Sequence, residues 1–101
     1  MAGFELSRRA RDDLVEIGLF GAERWGDERS ERYVTDLYGV SLGLVDGRAL
    51  ARRCDRIRPG LWRIEHASHV VFFRQQATVL FVCRVLHQRQ LPELHPIDDN
   101  E

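Results

Sequence analysis

The chain has 101 residues, 44% of them apolar, which suffices for one compact domain with a single core near the small end of the range that folds alone. No apolar stretch approaches the roughly 18 residues of a membrane span, MAGFELSRRARDD is no signal peptide, and Cys54 and Cys83 form no CxxC pair, so we expect a soluble, cytosolic protein with two free thiols and no metal or other cofactor. The net charge of -1 conceals a segregation: six Arg against ten acids in residues 1–46, nine Arg against Asp55 and Glu65 in 47–91, and four acids in 92–101, a basic middle suited to an anionic partner.

FEL at 4–6 alternates as a short strand does, and Ser7 follows where a helix N-cap sits, although Ala10 denies it a capping box. Helix one is predicted from Arg8 to Arg24, with Ala10, Leu14, Ile17 and Phe20/Gly21 as one apolar stripe and Arg8, Arg11, Asp12 and Glu16 off it. Gly26 stops that helix, and Asp27 caps a second whose first turn holds Glu28. Val34, Leu37, Tyr38, Leu42 and Val45 form the second stripe, which ends at Gly47. RALARRCDRIRPG carries five Arg and a Pro-Gly stop, and reads as a basic connector from helix to sheet.

Beyond it the period changes from 3.6 to 2. LWRIEH (61–66), HVVFFR (69–74) and TVLFVCRVLH (78–87) are β-branched and aromatic, with short polar breaks between them, as in three consecutive antiparallel strands. The fold class is α+β: a short N-terminal strand and an antiparallel helical hairpin packed on one face of a three-stranded antiparallel sheet. Residues 1–91 form the single domain, and 92–101 an acidic, flexible tail.

Strict alternation in the last strand puts Val79, Phe81, Cys83, Val85 and His87 on one face and Leu80, Val82, Arg84 and Leu86 on the other. In a simple meander Arg63, Arg74 and Arg84 gather on the side without helices, with Arg58, His87 and Arg89 near its rim. Any one of these arginines is explained by snorkelling or a nearby acid; the cluster is a candidate target-binding surface. His66 and His69, three apart in HASH, lack the third ligand a metal site needs, and hydrogen bonds within the turn explain them better. His87 suits either a proton-transfer role or a hydrogen bond at a strand end. Trp25 and Trp62 suit core anchors and interface anchors equally.

LSRRARDDLVEI, RWGDERSERYVTDL, IRPGLWRIEHASHVVFFR and VCRVLHQRQ, in this order, resemble the ParE toxins of the RelE/ParE superfamily over roughly residues 4–90. The resemblance implies the toxin of a type II toxin-antitoxin system, neutralised by a ParD-type antitoxin and inhibiting DNA gyrase by binding. It departs from the family pattern at GRALAR, where members usually carry a Pro-containing loop. On this reading Arg58, Arg63, Arg74, Arg84, His87 and Arg89 meet the target, while Trp25, Tyr38, Trp62 and Leu91 are apolar anchors for the antitoxin. No catalytic residue, membrane contact or sequence-specific nucleic-acid binding is expected. The alternative is a ribosome-dependent messenger RNA endonuclease of the RelE branch, with Arg63, Arg84 and His87 around the phosphorane. Against it stand the absence of Lys and of any Tyr near the end of the sheet, since Tyr33 and Tyr38 belong to the second helix.

Overall fold

The structure, a computed structural model, describes residues 3–45 and 51–90. Leu91, the tail 92–101 and the helix stop at Gly47 lie outside the described residues, as do the side chains of Leu42 and Val45. In chain order the elements are β1 (Gly3–Leu6), α1 (Arg8–Trp25), α2 (Asp27–Val45), β2 (Arg52–Arg53), β3 (Trp62–His66), β4 (His69–Gln76) and β5 (Val79–His87). No helix among the described residues is long and apolar enough to cross a membrane.

Ser7 caps α1 as its position predicts. Its Oγ accepts the Ala10 N–H at 2.9 Å, and the same hydroxyl donates to the Cys83 carbonyl at 2.7 Å, so the cap also fastens the helix to β5. Gly26, at φ 91, takes a conformation that side-chain-bearing residues rarely adopt. Its N–H closes α1 on the Ala22 carbonyl while its own carbonyl accepts from Ser30, so the two helices join with no intervening loop. Asp27 therefore starts α2 rather than capping it, and supports the dipole from within the first turn.

Close approach of the helices explains a second departure. A Cβ at Gly21 would lie 2.7 Å from Ser30 Oγ, and that hydroxyl donates to the Gly18 carbonyl. Gly21 takes the inward position of the stripe, which leaves Phe20 57% exposed. Ala10 and Leu14 are buried and Ile17 packs against the core, as the period predicts.

The sheet has five strands in the order β1-β5-β4-β3-β2, with β1 parallel to β5 and the remaining pairs antiparallel. The three predicted strands are its centre; the N-terminal strand and the two-residue β2 extend it on either side. Both faces are covered. Ala10, Leu14 and Leu37 of the helices pack on Val71, Phe73, Leu80, Val82 and Val85. On the opposite face Cys54, Ile57 and Leu61 pack on Val70, Phe72, Phe81, Cys83 and Leu86. The basic connector thus lays an apolar lid over the face that was expected to be open. A strand buried on both sides reads as an unbroken apolar run, which is why β5 shows little alternation.

A bulge corrects the predicted division of β5. Phe72 pairs with Arg84 and Phe73 with Val82, so Cys83 is the extra residue. Val82 and Val85, three apart, consequently both face the helices. Leu80 and Val82 lie under the helices rather than on the side away from them, and Arg84 does not join a cationic cluster on that side.

Candidate functional site

A groove of about 1180 Å³ opens at one end of the sheet, between α1, the N-terminal half of α2, the β3–β4 turn and the end of β5. Its floor is an ion pair. Arg84 donates through Nε and Nη2 to the two oxygens of Asp13, each at 2.8 Å, and the Val85 N–H reaches Asp13 Oδ2 at 2.9 Å. The two side chains are only 11% and 10% exposed. Planar guanidinium meets carboxylate in the bidentate geometry that favours Arg over Lys. The one signal of this pair in the sequence is that Asp13 falls three residues after Ala10 and four before Ile17, on the apolar stripe of α1.

Above the pair lies a titratable wall. His66 and His69 pair across the β3–β4 turn, with Ala67 at φ 52 in its tip. His69 Nδ1 and the Tyr33 hydroxyl of α2 share a 2.7 Å hydrogen bond, and the His87 ring meets His69 edge-on at 5.3 Å between centroids. The Arg89 N–H donates to His87 Nδ1 at 3.1 Å, so neutral His87 carries its proton on Nε2. Burial, reinforced by the neighbouring His87 and His66 and opposed by Asp13, pushes the pKa of His69 down to about 4. Burial raises the Tyr33 hydroxyl, against the opposing effect of a backbone hydrogen bond from Ser68.

A pH dependence follows from His69. In the unfolded chain it titrates near 6.5, so between 6.5 and about 4 the unfolded state binds a proton that the folded state refuses. The contribution of this site is fully present above pH 6.5 and is lost as pH falls toward 4. Urea midpoints measured across that window should drop for the parent protein and drop less for His69→Gln. Parallel acid limbs in the two proteins would show that His69 is not protonated in this way.

The predicted site residues divide between two regions. His87 and Arg89 line the groove, and Trp25, 48% exposed, stands at its mouth beside Phe20. Arg63 and Arg74 lie on the sheet face away from the helices, and Arg58 in the connector that crosses it; Arg63 is 3.8 Å from Glu65. Arg84 belongs to the groove but is engaged by Asp13, because the bulge turns it toward α1. Tyr38 is 43% exposed at a second depression, of about 530 Å³, between the two helices. Trp62 is half-buried against the helix-side core, with the Arg53 guanidinium 5.3 Å above its ring, which makes it a core residue with an exposed edge. The groove also holds Tyr33 and His69, which the sequence does not single out as site residues. The expectation that no tyrosine stands near the end of the sheet is corrected, since α2 delivers Tyr33 there from a distant part of the sequence.

Comparisons with known proteins agree with this architecture. The family described as "ParE toxin of type II toxin-antitoxin system, parDE" matches residues 4–92. Toxin ParE1 of Caulobacter vibrioides is 33% identical over 95 residues, spanning 94% of this chain and 98% of that protein. Toxin ParE1 of Mycobacterium tuberculosis is 35% identical over 85 residues, 83% of this chain and 87% of that protein. A solved structure titled "Chromosomal ParDE TA system from P. aeruginosa" shares the fold, with a TM-score of 0.73 at 21% identity over 86% of this chain and 96% of that one. From the match over residues 4–92 and these relatives, the chain belongs to the ParE toxin family of type II toxin-antitoxin systems.

Proposed function

We propose that this toxin arrests growth by binding DNA gyrase in the cytoplasm, performs no bond chemistry of its own, and is neutralised by a ParD-type antitoxin. The Arg84–Asp13 pair carries the reading. A nuclease needs a cation free to meet negative charge as it develops on phosphorus, and the guanidinium at the floor of the groove is already bound to a carboxylate. The exposed large apolar residues Val15, Leu19, Phe20, Trp25 and Tyr38 all lie on the helical hairpin, where an antitoxin segment that folds on binding finds its anchors. The P. aeruginosa neighbour, titled a ParDE system, supports a partner of that kind.

One observation favours the ribonuclease reading instead: Tyr33 is hydrogen-bonded to His69, and the His69 ring meets that of His87, which accepts the Arg89 N–H. Purified parent protein should inhibit gyrase in a supercoiling assay, leave cleaved DNA complexes, and cut no messenger RNA on ribosomes. His87→Ala should lower potency only a few-fold, as for a peripheral contact, whereas a proton-transfer role would cost roughly 10²- to 10⁴-fold in rate. Codon-specific RNA cleavage that disappears with His87→Ala, with gyrase untouched, would establish the second reading and overturn the first.

A further inference from the structure

Gln90, the last described residue after β5, lines the groove beside His87 and Arg89. A turn held by several hydrogen bonds sets it there. The Gln90 N–H donates to the His87 carbonyl at 2.9 Å and its side-chain oxygen accepts from the His87 N–H, while the Arg89 N–H donates to His87 Nδ1 and the Gln88 N–H to the Ser68 carbonyl. A turn of this kind reverses the chain, and it does so at the rim of the groove. The sequence continues as LPELHPI (91–97) and DDNE (98–101). Pro92 and Pro96 fix their own φ near about -65° and bias Leu91 and His95 toward extended backbone, which favours polyproline II over helix or sheet. With about three residues per turn, that conformation aligns Leu91, Leu94 and Ile97 on one face and leaves Glu93 and His95 off it.

We propose that residues 91–97 of this chain dock in the groove as a polyproline strip, with their apolar face on Ile17, Phe20 and Trp25 of α1. The lengths match: the wall that α1 lends the groove runs from Asp13 to Trp25, about 18 Å, and seven residues of polyproline II span about 22 Å. The chemistry matches too, because a Pro-containing extended segment seats in a groove walled by aromatic rings, which Phe20, Trp25 and Tyr33 supply. Glu16 and Glu23 also line the groove and balance Arg24 and Arg89, so charge gives the acidic residues 98–101 no seat there. The apolar face of 91–97 is what fits. A second copy or a foreign peptide reaches the groove only from solution, whereas a segment tethered at its rim acts at an effective concentration on the order of mM. A partner that anchors on Phe20 or Trp25 must therefore displace the tail first.

The test is NMR and Trp fluorescence of the full chain. Nuclear Overhauser contacts should join the methyl groups of Leu94 and Ile97 to ring protons of Phe20 or Trp25, and should persist on dilution. L94D/I97D leaves both core clusters untouched, and should abolish these contacts, red-shift Trp25 emission and raise its quenching by acrylamide. D98N/D99N should change none of these. Trp62 also emits, so L94D/I97D is repeated with W25F, where the fluorescence response should vanish. Absence of the contacts in the parent, unchanged emission in L94D/I97D, or an equal response from D98N/D99N or in the W25F background would each overturn the proposal. Contacts that appear between differently labelled copies in an isotope-filtered spectrum would overturn it as well, by seating a second copy in the groove. Neither gyrase nor an antitoxin is present, so the outcome is independent of the supercoiling result.

Discussion

Asp13→Ala should lower the unfolding free energy by about 3–5 kcal/mol, the range for removing one partner of a buried ion pair. The substitution leaves the Arg84 guanidinium in a site only about a tenth exposed and removes the acceptor of the Val85 N–H as well. Arg84→Ala should cost a similar amount, because it strands a buried carboxylate. Replacing both partners together, Asp13→Leu with Arg84→Met, should cost clearly less than the sum of the two single changes, since neither charge is then left buried without its partner. Urea melts of the four proteins give the comparison. Single-variant losses below about 1 kcal/mol would mean that the pair behaves as a solvated surface bridge. A practical consequence follows for assays of growth arrest: loss of toxicity in Arg84→Ala reports unfolding before it reports a lost contact with the target.

Phe81→Ala should be comparably damaging, at about 3–5 kcal/mol, although no helix covers it. Phe81 is 1% exposed among Cys54, Leu61, Val70, Phe72, Cys83 and Leu86, so truncation opens a cavity in the core that the connector closes. Phe20→Ala, on the outer surface of α1, should be close to neutral for stability and is the matched control. Equal midpoint shifts for the two variants would refute the second core.

The two helices are legible because each buries one recurring stripe, and the three long strands because they are β-branched and aromatic runs separated by short polar breaks. Two residues of β2 are too few to display any period. The bulge at Cys83 left no mark because it sits in a strand that is apolar on both faces, where a change of parity replaces one hydrophobic residue by another. Arg84 stands out in the sequence for its charge, but its neighbours do not, since its partner lies 71 positions away on a helix face where acids are ordinarily solvated. Tyr33 and His69 are inconspicuous in the sequence for the same reason: they are 36 positions apart, and only the packing of α2 on the sheet brings them into one site. Trp25 and Trp62 read alike in the sequence, and only the fold separates them, leaving Trp25 exposed and setting Trp62 against the helix-side core opposite Arg53; Tyr38, on the apolar stripe of the second helix by its spacing, is exposed as well.

The bonds that close the fold have a consequence for how the chain acquires it. Ser7 is joined to Cys83 across 76 positions, and Asp13 to Arg84 and Val85 across 71 and 72. Each requires a long loop to close before it returns any stabilisation, which is the circumstance that slows folding. During synthesis the N-terminal strand and both helices leave the ribosome well ahead of β5, with their apolar stripes facing nothing. The groove has no floor until Arg84 arrives. The groove therefore forms late, and until β5 arrives the apolar surface it will cover on the nascent helices is open to a chaperone or a folding-coupled partner.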